Sequence, residues 1–236
     1  KSWDSANDAL ENWRNAFEDT GIFVFKEAFR NDDFSGFCLY DDTFPLIIIN
    51  NSMAKNRQIF TLFHELGHLI YETSGIDRIK DDFINTLSQK DREIEMLCNK
   101  IAAEILVPSE DFDKIIKNLK IDEESISRLS EIYKVSREVI LRKLLDRKIV
   151  SQSTYVKLTS KWLTEAKKSK KDRKADSTGG NYYNTKITYL GDKYLDIVFD
   201  AYYRKAITEI QLADYLGVKI DSLPSLELSL HRRWVR

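Results

Sequence analysis

The sequence is poor in the features that would assign it to several common protein classes. Its two cysteines, Cys38 and Cys98, are too few for a disulfide framework. No apolar run reaches the roughly 18–20 residues of a membrane span, and no segment follows the plan of a signal peptide. These absences predict a globular protein of a reducing compartment, and we expect a cytoplasmic location.

An excess of either charge is also lacking. The chain holds 37 basic and 38 acidic side chains, which gives a net charge of −1. No overall field therefore favours wrapping nucleic acid or lying on an anionic membrane, and any such contact has to be local. The chain opens at Lys1 rather than a methionine, so we expect that an N-terminal segment is missing.

Hydrophobic periodicity predicts an α+β protein in which helices dominate. Leu10, Trp13 and Phe17 are spaced as on one face of a helix. Three short apolar runs then predict a small three-stranded sheet, and helical patterns fill most of the remaining chain. The predicted strands are 21–25, 36–40 and 45–50, and the predicted helices are 4–19, 54–72, 80–106, 109–119, 122–134, 137–148, 151–170, 191–205 and 208–216.

A basic stretch divides the chain. Residues 165–181, "EAKKSKKDRKADSTGGN", look like a solvated helix end that passes into a linker. We therefore predict three parts, which are a main domain over 1–150, a helix and basic linker over 151–180, and a small helical C-terminal domain over 181–236.

Two of the three histidines, His64 and His68, lie in "FTLFHELGHLIYE" (60–72). On a helix they are one turn apart and about 40° from each other, so both imidazoles can reach one metal ion. Glu65, about 100° round the helix, can reach a metal-bound water without binding the metal. Gly67 indicates that a neighbouring element packs too close for a Cβ. The alternative is that two surface histidines are four residues apart by chance.

A catalytic zinc ion needs a third protein ligand. Glu72 is excluded because eight residues, about 12 Å of helix rise, separate it from His64. The best candidate is Glu95, four residues before Asn99 on the next long helix, where Asn99 could hydrogen bond a ligand. The alternatives as third ligand are Asp77 and Cys98.

Two segments carry a resemblance to a known family. "RQIFTLFHELGHLIY" (57–71) and, about thirty residues later, "EMLCNKIAAEILVP" (95–108) resemble the ImmA/IrrE family of metallopeptidases. The similarity covers roughly residues 5–150, and the segment from Gly179 resembles the C-terminal extension of longer members. The chain departs from the family pattern at positions that are not proposed ligands, namely Phe63, Cys98, Ile101 and Val107.

The resemblance implies a mainly helical, zincin-like metallopeptidase domain over 1–150. It implies one zinc ion held by His64, His68 and Glu95, with Glu65 as general base. It also implies an endopeptidase whose protein substrate is a helix-turn-helix repressor or antitoxin-like regulator, in transcription regulation and the stress response. We expect no membrane partner and no nucleic-acid binding by this chain itself; binding of nucleic acid could belong only to a missing N-terminal domain. The residue that stabilises the oxyanion stays open among Arg57, Tyr71 and His231.

The competing hypothesis is a DNA-binding or protein-interaction regulator. Residues 126–148 have the pattern of a helix-turn-helix whose second helix begins at Ser136 and is rich in basic residues. The plainer interpretation is a solvated basic face over an apolar core. These basic residues are Arg137, Arg142, Lys143, Arg147 and Lys148.

Overall fold

The computed structural model describes residues 3–29, 34–78, 87–173 and 181–234. Its α+β, mainly helical architecture confirms the predicted fold class. The three predicted strands are present as β1 (Phe23–Glu27), β2 (Phe34–Leu39) and β3 (Leu46–Asn50). A further strand, β4 (Ile76–Arg78), was not predicted, because three residues are too few to display an alternating pattern.

The sheet has the strand order β1-β3-β2-β4. β1 runs parallel to β3, whereas β2 is antiparallel to both β3 and β4. Because β1 and β3 are parallel, the chain crosses over between them, and β2 belongs to that connection. β4 is therefore an edge strand that begins six residues after the helix carrying the two histidines ends.

Seven helices occur in the described residues up to 173. The second begins at Lys55, one residue after the predicted start at 54. The third begins at Gln89 rather than at 80, because Ser88 caps it by accepting a hydrogen bond from the Asp91 N–H. The segment 79–86 lies outside the described residues. The seven helices are α1 (Ala6–Asp19), α2 (Lys55–Ile70), α3 (Gln89–Leu106), α4 (Ser109–Ile116), α5 (Glu123–Tyr133), α6 (Arg137–Asp146) and α7 (Gln152–Arg173).

Helix α2 lies at the centre of the first hydrophobic core, which extends from Ala9 to Trp162. It packs on β2 and β3, on α1 and on α3. The Phe63 ring meets Trp13 and Phe17 of α1 edge-on, with ring centroids 4.8 and 5.3 Å apart. Residue 63 directly precedes the first histidine, so α1 helps to hold that turn of α2 in place.

The C-terminal residues form a separate helical bundle with its own core, from Ile187 to Leu230. Two of its helices were not predicted. The first begins after Asn181, whose side chain accepts from two backbone N–H groups, and the last has Pro224 in its first turn, where no N–H is needed. The four helices are α8 (Tyr182–Leu190), α9 (Asp192–Tyr203), α10 (Glu209–Leu216) and α11 (Leu223–Trp234).

This bundle packs against the opposite side of β1 from the main core. Phe23 and Phe25 alternate with the buried Val24 and therefore point to the other face, where both rings meet Tyr194 of α9 edge-on. The buried Arg14 of α1 donates hydrogen bonds to the carbonyls of residues 188 and 189 at the end of α8. The exact limits of the three predicted parts of the chain stay a prediction.

None of the described helices is both long and apolar enough to cross a membrane. The longest, α7, has 22 residues and a strongly polar composition.

Candidate metal centre

The two histidines of α2 lie side by side in the protein interior. His64 and His68 are only 1% and 3% exposed, and their Nε2 atoms are 3.2 Å apart. The helical spacing of four residues places the rings one turn apart, as predicted from the sequence. They are not surface histidines.

Helix α3 brings Glu95 to the same point. Its two carboxylate oxygens lie 3.2 Å from Nε2 of His64 and 3.3 Å from Nε2 of His68. Among the His, Cys, Asp and Glu side chains that the structure describes, His64, His68 and Glu95 form the one group of three whose ligand atoms all lie within 4.8 Å of one another. The structure therefore brings together the three residues that the sequence analysis singled out as ligands.

The spacing of these atoms suits a small tetrahedral cation. A zinc ion with bonds of about 2.0–2.1 Å holds its ligand atoms about 3.3 Å from one another. The observed separations of 3.2–3.3 Å match that value. Two imidazoles and one carboxylate also leave a fourth position for water, which is the ligand set of a catalytic rather than a structural zinc site.

The hydrogen bonds behind the histidines direct their lone pairs to this point. Nδ1 of His64 is 3.1 Å from the Oδ1 oxygen of Asn99, which can only accept, so the ring proton lies on Nδ1. Nδ1 of His68 is 3.3 Å from the Thr73 hydroxyl, which donates to the His68 carbonyl and so accepts from the ring. Both Nε2 atoms then face Glu95, where they donate to the carboxylate when protonated and can bind a cation together with it when deprotonated.

The charge of Glu95 fits the same role. Burial by itself raises the pKa of this carboxyl, but in the metal-free protein hydrogen bonds and charge interactions with the two imidazoles, when these are protonated, outweigh burial and lower the pKa to about 2. Glu95 is therefore an anion at neutral pH, as a metal-binding carboxylate has to be.

Close contact between α2 and α3 sets the distance from Glu95 to the histidines. A Cβ on Gly67 would lie 2.9 Å from Cys98 Sγ and 3.0 Å from its Cα. The prediction that an element packs too close to Gly67 for a side chain is confirmed. Cys98 is thus a packing residue rather than a ligand, and burial, followed by the charge of Glu95, raises the pKa of its thiol to about 12.

Glu65 faces the sheet and is completely buried. Its carboxylate interacts with the thiol of Cys38 on β2, and burial followed by this charge raises the pKa of that thiol well above its ordinary value. The thiol of Cys38 also accepts the N–H of Gly75 at 3.4 Å. Glu65, the predicted general base, therefore lies beside the protonated thiol of Cys38 rather than beside bulk water.

Sequence analysis did not single out Thr73, Gly75 or Cys38. A Cβ on Gly75 would lie 2.6 Å from the His68 ring, so this glycine is needed for close packing rather than for a special backbone angle. The one feature of the sequence that could have indicated a role for Thr73 is its position, because it places a hydroxyl five residues after His68 in the turn that ends the helix. No comparable signal in the chain pointed to Cys38.

The other candidates lie elsewhere. The side chain of Asp77 is outside the described part of the structure. Glu72 is exposed in the turn after α2, and Arg57 is held by the Ser35 hydroxyl at 2.8 Å. Tyr71 is 43% exposed. His231 lies on α11 and faces solvent. Neither side chain is therefore enclosed with the metal-binding atoms.

Comparisons with known proteins identify relatives of the chain. Two proteins named radiation response metalloprotease IrrE, from Deinococcus deserti and Deinococcus radiodurans, are 29% and 30% identical to the chain over 110 residues. That segment is 46% of this chain but only 38% and 33% of those relatives, so the chain spans well under half of their length.

A solved structure described as a Mycobacterium tuberculosis transcriptional regulator aligns with a TM-score of 0.41 and 18% identity, over 59% of this chain and 40% of that one. The sequence profile of peptidase family M78, described as the IrrE N-terminal-like domain, matches residues 17–145, which is more than half of the chain and includes α2 and α3. With this match, the chain belongs to peptidase family M78.

Proposed function

We propose that this chain is a zinc-dependent endopeptidase that hydrolyses a peptide bond in a protein substrate. The observation that carries the proposal is the convergence of two imidazole lone pairs and an anionic carboxylate on one point, from His64, His68 and Glu95. Membership of a peptidase family, and the name metalloprotease borne by the two Deinococcus relatives, support it.

His64, His68 and Glu95 would hold one zinc ion, which, when bound, polarises a scissile carbonyl and acidifies a water molecule. Glu65 takes the proton of the attacking water and passes it to the departing amine. Its complete burial beside Cys38 keeps bulk solvent from exchanging that proton during the reaction. Asn99 and Thr73 hold the two imidazoles in the tautomer that binds metal.

The edge strand β4 offers a place for the substrate main chain. β4 pairs with β2 on one side, and no strand among the described residues pairs with its other side. It begins directly after Gly75, which packs on the His68 ring. An extended peptide that adds to this edge would therefore lie beside the metal centre, bound mainly through backbone hydrogen bonds.

The substrate class that we propose is a helix-turn-helix repressor or antitoxin-like regulator, in the cytoplasm. Its support is the motif resemblance of 57–71 and 95–108 to the ImmA/IrrE family. Cleavage of such a regulator would relieve repression under stress.

The contacts of residues 126–148 give less support to DNA binding. Lys143 is 6% exposed and binds the Glu104 carboxylate at 2.8 Å, so it does not reach solvent. Three of the neighbouring basic side chains, all arginines, are also paired with carboxylates, which reduces the positive charge that the segment offers to phosphates. These pairs are Arg137 with Glu165, Arg142 with Asp146 and Arg147 with Asp113.

Metal analysis of purified variants tests the proposal. Elemental analysis is expected to find about one zinc ion per chain in the wild type and in His231→Ala, the matched control, and very little in His64→Ala or Glu95→Ala. Glu65→Gln should keep the metal and lose cleavage of a co-expressed helix-turn-helix regulator encoded beside this chain. A wild-type protein that binds no metal, but binds duplex DNA tightly at low salt, would refute the proposal.

A further inference from the structure

The turn that ends α2 contacts His68 through both backbone and side-chain groups. Glu72 adopts the left-handed conformation, with φ of 53°. The Glu72 N–H donates to the carbonyl of Leu69 at 3.0 Å, and the Thr73 N–H donates to the carbonyl of His68 at 2.9 Å. These two bonds define a Schellman motif, in which the third residue from the helix end accepts from the turn. Here that third residue is a metal-ligand candidate.

The side chain of Thr73 adds a second link to the same histidine. Its hydroxyl donates to the His68 carbonyl at 3.0 Å and, with its one proton committed, accepts from Nδ1–H of the ring at 3.3 Å. One hydroxyl thus joins the backbone and the imidazole of one residue. The bond fixes the rotation of the ring and places the proton on Nδ1.

The turn is itself attached to the sheet. The Cys38 N–H donates to the Gly75 carbonyl at 3.1 Å, and the Gly75 N–H donates to Cys38 Sγ at 3.4 Å. Gly75 lies against the face of the His68 ring, where a Cβ would not fit. The backbone two residues after Thr73 is thus fixed to the sheet, which limits how far the Thr73 hydroxyl can move away from the ring.

We propose that Thr73 is the positioning residue of His68: its hydroxyl orients the imidazole for metal binding, as Asn99 does for His64. This inference rests on the proposed function, since it assigns the ring a metal to bind. Outer partners of histidine ligands commonly contribute about 10–100-fold to metal affinity. Thr73 acts through His68 and does not touch the metal or the substrate.

Two substitutions separate the hydroxyl from the shape of the side chain. Thr73→Val removes the hydroxyl and keeps the branched shape, whereas Thr73→Ser keeps the hydroxyl. Both retain the backbone N–H that closes the turn. Zinc dissociation constants, measured by competition with a chromophoric chelator, should rise about 10–100-fold in Thr73→Val and stay close to wild type in Thr73→Ser. Thr73→Ala serves as a second hydroxyl-free variant if the valine protein does not fold.

A role confined to ending the helix predicts a different result. It would lower the unfolding temperature of the metal-free protein and leave zinc affinity unchanged. The visible spectrum of the Co²⁺ form provides a further readout, because rotation of the His68 ring alters the ligand field. We expect that spectrum to change in Thr73→Val and not in Thr73→Ser.

The outcomes distinguish this inference from the proposed function. A wild type that binds no zinc refutes the proposed function. A wild type that binds zinc, with wild-type affinity and Co²⁺ spectrum in Thr73→Val, refutes the role of Thr73 alone. Equal losses in Thr73→Val and Thr73→Ser would also overturn it, because the hydroxyl would then not be the cause.

Discussion

Cys98 of α3 lies directly over Gly67 of α2, with its Cα 3.0 Å from the point that a Cβ on the glycine would occupy. Gly67 adjoins His68, and Cys98 is three residues after Glu95. The approach of the two helices at this contact therefore determines how far the carboxylate is from the imidazoles.

We predict that Gly67→Ala destabilises the protein and weakens metal binding. In an exposed helix this change stabilises by about 1 kcal/mol. Here the added methyl group meets the Cys98 backbone, so α3 has to move, and we expect a net loss of about 1–3 kcal/mol in the free energy of unfolding. Urea denaturation of the metal-free protein measures that loss, and chelator competition measures the weaker zinc binding. A stabilised variant with unchanged affinity would contradict this account of the contact.

Glu72→Gly should stabilise the protein. The left-handed backbone at this position, with φ of 53°, costs a residue with a Cβ about 1 kcal/mol that glycine does not pay. We expect a gain of up to about 1 kcal/mol in thermal or urea unfolding. Glu72→Ala is the matched control, since it removes the same carboxylate but keeps the Cβ and should give no gain. Zinc affinity should be unaffected in both variants.

Loss of Arg14 should lower the free energy of unfolding because it leaves the buried Glu18 carboxylate without its ion-pair partner. The guanidinium lies 3.1 Å from the Glu18 carboxylate and also binds the end of α8. Burial raises the pKa of Glu18 although Arg14 opposes that change. We predict that Arg14→Met destabilises by about 3–5 kcal/mol, the usual cost of an uncompensated buried charge. The double variant Arg14→Met, Glu18→Gln should recover part of the loss. An additive double-mutant cycle in urea denaturation would show that the two side chains do not interact.

Stability should rise with pH because of Lys26. Its side chain is fully buried, and burial lowers its pKa from 10.5 to about 8, although the Glu11 carboxylate opposes the shift. Between these two pKa values the unfolded chain holds the proton and the folded chain has released it. Folding is therefore favoured increasingly as pH rises through this window.

Lys26→Met removes that titration. The free energy of unfolding, measured by urea denaturation between about pH 8 and 10.5 to span the window above, should rise more steeply for the wild type than for the variant. Tyrosines and other lysines titrate in both proteins and cancel in the comparison. Equal slopes would mean that Lys26 has an ordinary pKa.

The metal centre was more predictable than the residues around it. The spacing of His64 and His68 follows from helix geometry alone, and Glu95 could be found because Asn99 marks the same face of its helix. Thr73 and Cys38 could not be found in that way. They reach the site through a turn and a strand pairing, and neither position follows from a helical repeat.

The fold shows the same division. Long amphipathic helices and the apolar strands were predictable from periodicity, which reports the face that a segment buries. β4 was missed because its pairing with β2 depends on tertiary contact. α8 was missed because its buried face is small, with Ile187 as its fully buried residue, so the sequence displays little periodicity.

The carbonyl of His68 accepts both the backbone N–H and the hydroxyl of Thr73. The last turn of α2 therefore cannot fray while His68 keeps its orientation. Local opening of this helix end would therefore release a bound ion, and a bound ion should suppress that opening. Hydrogen exchange at the Thr73 amide should consequently report the occupancy of a site that the amide itself never touches.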